Sequence, residues 1–298
     1  MVKVAAIDCG SNSTRLLISS VNNGRLDNLL KQHEVTKLSE NIVHSNKISD
    51  DSKKRFYKTL RKYLKIIENH QVDEVFCIGT AALRNSENSE DVIQDVKSKF
   101  RLDLKVISGE EEGYLTGIGV QSSFQDLKDY VIVDIGGQST ELIYDIDKRV
   151  NVNSKDIGVV MMNENFLKEN PITEVGEKNA SIFFDKIFDS GNFSDRNFIG
   201  VSGTFTSIGS MHLKQTNYNE DEIDKLDIPY ESINNLYKNI RSITIPQIIN
   251  SYPSLDPKRA VTITSGLFLV INLLKKYEIK QLKVSKSDIL EGLILKYF

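Results

Sequence analysis

Apolar residues in this chain fall into short continuous runs and into stripes at helical spacing, and the two patterns alternate. Val2–Ile7 is an apolar run interrupted only by Lys3 and closed by the polar turn cluster Asp8-Cys9-Gly10-Ser11-Asn12-Ser13. Arg15–Val21 reads as a second strand, ended by the hairpin signal Asn22-Asn23-Gly24, and Glu34–Leu38 as a third. Three strands with short turns predict a meander. Ser49-Asp50-Asp51 then opens a helix that runs to about Asn69, because Phe56, Leu60, Leu64 and Ile67 make one apolar stripe. Strands follow at Val75–Ile78 and Leu104–Ile107, and helices at Asp91–Phe100 and Glu110–Val120. Strands alternating with helices predict a mixed sheet covered on both faces.

The pattern then restarts. Val131–Val133 ends in Asp134, and Ile135-Gly136-Gly137-Gln138-Ser139 makes a turn. Thr140–Tyr144 and Val150–Ile157 read as strands, with helical stretches from about Met161 to Lys168 and near Glu174–Asp189. Asn197–Ser202 is a strand into Gly203-Thr204 and a helix to about Leu213. Tyr230–Ile240 and Pro257–Lys276 read as helices, Gln281–Val284 as a strand and Asp288–Lys296 as a closing helix. The segment Ala6-Ile-Asp-Cys-Gly-Ser-Asn-Ser-Thr therefore has a counterpart in Val133-Asp-Ile-Gly-Gly-Gln-Ser-Thr, the two aspartates 126 positions apart (134 minus 8). Two copies of strand, Asp, Gly turn and strand imply an α/β chain of two similar domains facing one cleft. The boundary is expected in the polar stretch Ser122–Asp129, giving domains of residues 1–124 and 125–298.

Composition narrows the function. The 298 residues suffice for two domains with cores, and their net charge of −3 argues against a protein that tracks nucleic acid. No window approaches the roughly 18 unbroken apolar residues of a membrane span, and no signal segment opens the chain, so a cytoplasmic location is expected. Cys9 and Cys77 end apolar runs and read as reduced core thiols. Four scattered His and two Cys do not suit zinc, which leaves a hard cation held by oxygen. The run Lys53, Lys54, Arg55, Lys58, Arg61, Lys62, Lys65 covers the polar face of the first long helix. Such a run is ordinarily a solvated face, though a long polyanion could lie along it.

The turns carry the candidate chemistry. Gly10 admits phosphate close to backbone amides, Ser11, Asn12 and Ser13 add short polar donors, and Arg15 offers a planar charged fork. Asp8 is placed to hold Mg²⁺ directly or through water. In the second copy, Gly136 and Gly137 repeat the device, and Asp134 and Glu141 could bracket a divalent cation. Val201-Ser-Gly-Thr follows a strand and opens a helix, which aims amides near Gly203 and Thr204 at an anion. Arg84, in Thr80-Ala-Ala-Leu-Arg, is a second candidate clamp. Glu110, Glu111 and Glu112 open a helix, where acids also suit the helix dipole, and any one of them could activate a water.

Together these pieces resemble the exopolyphosphatase / guanosine pentaphosphate phosphohydrolase (Ppx/GppA) family. They are Ile7-Asp-Cys-Gly-Ser-Asn-Ser-Thr-Arg-Leu, Gly79-Thr-Ala-Ala-Leu-Arg, Ile107-Ser-Gly-Glu-Glu-Glu-Gly, Val133-Asp-Ile-Gly-Gly-Gln-Ser-Thr-Glu-Leu and Val201-Ser-Gly-Thr, in the family's order. The resemblance implies two ribonuclease H-like domains of the actin, hexokinase and Hsp70 ATPase superfamily around a central cleft. It implies Mg²⁺ (or Mn²⁺) as cofactor and Glu112 as the catalytic base. Asp134 and Glu141 are implied as metal carboxylates. Arg15, Arg84 and the loops Gly10–Ser13, Gly136–Ser139 and Gly203–Thr204 are implied as phosphate contacts. Gln138 stands where the family has a third glycine, and Met161 where it commonly has a basic residue. The chain looks like a short, two-domain member. The activity implied is release of terminal phosphate from inorganic polyphosphate, with pppGpp hydrolysis to ppGpp as alternative. An ATP-dependent kinase or ATPase of the same superfamily, and a non-catalytic sensor of either polyanion, are competing readings. No nucleic-acid or membrane partner is implied, and a homodimer is compatible with the family.

Overall fold

The computed structural model describes residues 2–124, 127–146, 149–189, 193 and 195–298. The chain divides into two compact units, Met1–Gln125 with Ser287–Phe298, and Asp126–Lys286.

The first unit opens with β1 (Val2–Cys9), β2 (Ser13–Asn22) and β3 (Arg25–Val35), continues through α1 (Ile42–Ser45) and α2 (Asp50–Asn69) to β4 (Glu74–Gly79), then α3 (Ala81–Arg84), α4 (Ser89–Phe100), β5 (Leu104–Val106) and α5 (Gly109–Ser123). Its five-stranded sheet has the order β3-β2-β1-β4-β5. β1 is antiparallel to β2 and parallel to β4. Alternation along β1 feeds two cores, as the pleat requires. Ala5, Ile7 and Cys9 meet Phe56, Leu60 and Tyr63 of α2 and Val92 and Val96 of α4. Val4 and Ala6 meet Leu115 of α5 on the other face.

The second unit repeats the topology. Its elements are β6 (Tyr130–Ile135), β7 (Thr140–Ile146), β8 (Arg149–Lys155), α6 (Val159–Asn165), α7 (Glu174–Ile187), β9 (Asn197–Val201), α8 (Ser202–His212), α9 (Glu220–Ile223), β10 (Asp227–Pro229), α10 (Tyr230–Ile240), α11 (Ile245–Ser251), α12 (Ile263–Lys276) and β11 (Gln281–Val284). The sheet order is β10-β11-β9-β6-β7-β8, so β8-β7-β6-β9-β11 matches β3-β2-β1-β4-β5 of the first unit. One core fills this unit, with Leu267, Phe268, Val270 and Leu274 of α12 buried in it. The Phe205 ring of α8 lies where a Cβ on Gly200 would be, 2.0 Å from its Cδ1, so glycine lets the helix sit on β9.

Three expectations change. The last helix, α13 (Ile289–Leu295), belongs to the first unit, so the second does not extend over all of 125–298. A Cβ on Gly292 would lie 1.8 Å from the Leu115 carbonyl oxygen, and one on Gly119 1.9 Å from that of Asp288. The two glycines thus let α5 and α13 cross backbone to backbone. Ile289, Leu290, Leu293 and Ile294 fill the core beside Leu115 and Leu17. Burying four such side chains is worth on the order of 6–12 kcal/mol as an upper bound. The third strand is Arg25–Val35 rather than Glu34–Leu38, because its edge position and polar residues hide the alternation. The long apolar helix begins at Ile263 rather than Pro257, after a turn in which the Arg259 amide donates to the Asp256 carbonyl at 2.8 Å. Among the described residues, no helix is long and apolar enough to cross a membrane.

Candidate active site

The two Asp-led turns share one geometry. The Gly10 amide donates to the Ser13 carbonyl at 3.0 Å, and the Gly136 amide to the Ser139 carbonyl at 2.9 Å. A Cβ at either glycine would press on that carbonyl, at 2.9 Å and 3.2 Å. The carbonyls of each loop are turned backwards and held. The Ser39 amide holds Ser11 O at 3.0 Å, the Val159 amide holds Gly136 O at 2.9 Å, and the Val160 amide holds Gly137 O at 2.8 Å. Across a trans peptide the carbonyl and the next amide point oppositely. The amides of Asn12, Gly137 and Gln138 are therefore turned away from the segments that back the loops, which is how backbone concavities bind anions. α6 approaches this closely because Gly158 leads it, where a Cβ would lie 2.5 Å from Gln138 N. That contact also explains why α6 spans Val159–Asn165, earlier than the expected Met161–Lys168.

Gln138 is 7% exposed, and its buried Nε2 has no hydrogen-bond partner among the described residues. A donor buried without an acceptor is costly, so this amide is poised for an incoming oxygen.

Cross-strand neighbours differ between the two copies. Asp8 and Arg15 are directly opposite on β1 and β2, and Asp134 and Glu141 are directly opposite on β6 and β7. Arg15 donates to Asp8 Oδ2 from Nε at 3.0 Å and from Nη2 at 2.8 Å, and from Nη1 to Asp288. The fork expected to clamp phosphate is thus engaged by two carboxylates. Asp8 Oδ1 is buried with no hydrogen-bond partner among the described residues. Burial pushes the Asp8 carboxyl up, against the opposing pull of Arg15. Burial likewise disfavours the charged form of Asp288, but the Arg15 guanidinium, the Lys31 ammonium and the Leu290 amide hold it below the usual range. Glu141 and Asp134 are also buried, and the Ser154 hydroxyl donates to Glu141 Oε1 at 2.8 Å.

The three glutamates at the start of α5 separate cleanly. Glu110 is exposed. Glu111 accepts from Lys296 at 2.8 Å and Lys105 at 3.0 Å, which holds its carboxyl below the usual range. Glu112 turns to Arg84, whose Nη1 donates to its Oε2 at 3.2 Å and to the Ile107 carbonyl at 2.9 Å. Cys9, Gly79 and Val106 end β1, β4 and β5 at the same edge, with Cys9 opposite Gly79 and Gly79 opposite Val106. The first loop, Arg84 and Glu112 therefore all leave the carboxyl edge of one sheet, the usual ligand side of such folds.

The second unit repeats this arrangement. Val201, which leads into the third Gly turn, is opposite Asp134 in the parallel pair β6/β9. Thr204 Oγ1 donates to the Ile135 carbonyl at 3.1 Å and ties the turn to the second loop. Ser202 takes a left-handed φ of 68°, and its buried Oγ has no hydrogen-bond partner among the described residues. The sequence reading missed Arg259, which donates to Gly203 O at 2.9 Å and Ser207 Oγ at 3.1 Å and packs where a Cβ on Gly203 would stand, 2.6 Å away. Asp288 was also missed. Its capping box with Glu291 is legible locally, but its partner Arg15 is 273 positions away.

Among the described residues, no three His, Cys, Asp or Glu side chains cluster closely enough to hold a metal alone. Mg²⁺ is commonly held by one or two carboxylates with waters and substrate phosphates. Within the second unit, the buried Asp134–Glu141 pair fits a cation of that kind.

These units are of the actin-like ATPase class. The chain belongs to the Ppx/GppA phosphatase family, whose model matches residues 17–298. It is similar to a bifunctional 3-dehydroquinate synthase/phosphatase of Fusobacterium nucleatum, 32% identical over 98% of this chain but only 46% of that protein. With exopolyphosphatase 2 of Mycobacterium tuberculosis it shares 26% identity over 99% of this chain and 98% of the other. A solved exopolyphosphatase-like protein superposes with a TM-score of 0.92 at 26% identity, over 99% of this chain and 97% of that one. The chain thus spans about half of one of these relatives and nearly all of another.

Proposed function

We propose that this chain is an exopolyphosphatase that removes the terminal phosphate of inorganic polyphosphate and depends on Mg²⁺ (or Mn²⁺). The observation that carries the reading is the matched pair of Asp-led loops, each closed by a glycine amide and each with an amide turned away from its backing segment. Membership in a phosphatase family, and the name exopolyphosphatase on a relative of the same length, support it.

In this reading a water attacks the terminal phosphorus and gives a proton to the Glu112 carboxylate. The bridging P–O bond breaks, and the shortened chain leaves with the bonding electrons. Arg84 keeps Glu112 oriented through the Oε2 contact. In the first unit the Asn12 amide, and in the second the amides of Gly137 and Gln138, the Gln138 side chain and the first turn of α8 at Gly203 and Thr204, are the donors offered to phosphoryl oxygens. Ser11, Ser13 and Ser139 frame the loops, and Arg15 adds positive charge beside the first. Asp134 and Glu141 of the second unit would hold the divalent cation, and Asp8 is the corresponding carboxylate of the first; the cation would supply Lewis-acid stabilisation of the phosphoryl oxygens. A cytoplasmic setting belongs to the same proposal, supported by the two free thiols Cys9 and Cys77, in contact at 3.7 Å.

Phosphate release from long polyphosphate, tripolyphosphate, pppGpp and ATP, each with Mg²⁺ and with EDTA, tests the reading. Metal-dependent release from polyphosphate is the expected result. Release from pppGpp alone would replace the substrate, and binding without release from any of them would make the chain a sensor.

A further inference from the structure

Residues 53–65 of α2 hold seven Lys or Arg and no acid, in a chain whose net charge is −3. Lys54, Lys58, Arg61, Lys62 and Lys65 are all exposed. At 100° per residue they fall within one stripe, opposite the buried Phe56, Leu60, Tyr63 and Ile67. From Lys54 to Lys65 the stripe is about 16 Å long, from 1.5 Å per residue.

The surrounding acids answer only part of this charge. Lys53 pairs with Asp50, Lys54 with Asp51, Arg55 with Glu40 and Lys62 with Glu34. Lys58, Arg61 and Lys65, at i, i+3 and i+7, have no ion pair among the described residues. Arg61 instead lies over the Phe100 ring, 5.5 Å from its centroid, and so keeps its charge outward at the end of α4. Like charges at i, i+3 and i, i+4 destabilise a helix by roughly 0.2–0.5 kcal/mol per pair. Lys54/Lys58, Lys58/Arg61, Lys58/Lys62, Arg61/Lys65 and Lys62/Lys65 are all such pairs. Among the described residues the repulsion is only partly compensated, and a bound polyanion would relieve it.

The first turns of α2 also pack on the segment that backs the first Asp-led loop. Arg55 Nε donates to the Thr36 carbonyl at 2.9 Å and the Ser52 hydroxyl to the Lys37 carbonyl at 2.8 Å. The amides of Thr36 and Lys37 hold the Asn12 carbonyl at 3.0 Å and 2.9 Å.

We propose that the exposed stripe of α2 is a second polyanion site, which holds the distal part of a long polyphosphate chain while its end is hydrolysed. The proposal rests on the exopolyphosphatase reading and adds a preference for long chains over tripolyphosphate and over nucleotides, neither of which reaches along a helix.

The test compares wild type with the triple variant Lys58→Glu, Arg61→Glu, Lys65→Glu, whose side chains are exposed and whose folding circular dichroism checks. A control of equal charge change, Lys168→Glu, Lys238→Glu, Lys280→Glu, uses exposed lysines of the second unit. Two readouts are taken: binding of polyphosphate of about 100 phosphates at several salt concentrations, and hydrolysis of tripolyphosphate. The α2 variant is expected to bind the long chain at least about tenfold more weakly. Its log–log salt slope should fall by about 2, from three lost phosphate contacts at ~0.7 each. Tripolyphosphate turnover and the control variant should match wild type. Unchanged long-chain binding, or the same loss in the control, would overturn the site. Failure of wild type itself to hydrolyse tripolyphosphate would strike the exopolyphosphatase reading instead, and the binding readout would still decide for or against the stripe. Loss of binding to single-stranded RNA alone, with polyphosphate binding intact, would make the stripe a nucleic-acid surface and refute the proposal.

Discussion

Glu141 stands directly opposite Asp134 on β7 and β6, in the place where Arg15 stands opposite Asp8 on β2 and β1. One copy of the repeat thus supplies a cation to its aspartate, while the other sets a second carboxylate against it. Like charges directly opposite in a sheet are unfavourable, and a divalent ion reverses the sign of that interaction. Glu141→Gln should therefore leave urea stability unchanged or slightly raised. The Mg²⁺ concentration for half-maximal phosphate release should rise at least about tenfold. A Mg²⁺ titration alongside urea unfolding checks both, and an unchanged titration would remove Glu141 from the metal site.

Gln138 offers a different signature, because its buried Nε2 lacks an acceptor among the described residues. Replacing it by Leu removes an unsatisfied donor of about 1 kcal/mol or more, so the melting temperature should rise by roughly 2 °C. In the proposed site the same change deletes a donor to phosphate, and KM for tripolyphosphate should rise about tenfold. Calorimetry and initial rates on one preparation separate the two. A KM equal to wild type would show that the amide meets no substrate oxygen.

At the crossing of α5 and α13 there is no room for a methyl group, since a Cβ on Gly292 would sit 1.8 Å from Leu115 O. Gly292→Ala should cost about 3 kcal/mol or more by urea unfolding. Because α5 carries Glu112 and Asp288 caps α13, activity should fall further than the unfolded fraction explains. Stability within about 1 kcal/mol of wild type would mean that the two helices shift apart at little cost.

Asp288 makes stability depend on pH. Its folded carboxyl is held below the usual value by Arg15, Lys31 and the Leu290 amide, against the cost of burial. The stabilisation is therefore complete above the unfolded value, about 3.9, and is lost as pH falls through the lower folded value. Asp288→Asn should destabilise by about 3 kcal/mol at pH 7, and the deficit should shrink below pH ~4. Urea unfolding of both proteins across that range provides the comparison. A deficit independent of pH would mean that the loss is one of packing rather than of charge.

Much of this was legible from sequence, and the reasons differ by element. β1 and β6 were visible because both faces are buried, which leaves nearly unbroken apolar runs. The two Asp-led turns were visible because glycine is required where a Cβ would meet a carbonyl. β3 was misplaced because an edge strand mixes Lys, Gln and His with its leucines. Local pattern could not show that Asp288 closes on Arg15 or that Arg259 covers Gly203, since both contacts are set by tertiary packing. Nor could it rank the three glutamates of α5, which differ only in the cations that face them.

Phosphate release from tripolyphosphate by wild type and by Glu112→Gln, with Mg²⁺ and with EDTA, tests the account most directly. Glu112→Gln keeps the shape of the side chain and a carbonyl oxygen for Arg84, but has no carboxylate to take a proton from water. Wild type should release phosphate only with Mg²⁺, and the variant should be at least about a thousandfold slower while still binding the substrate. Near-normal turnover by Glu112→Gln would contradict the assignment of the base, and with it the mechanism.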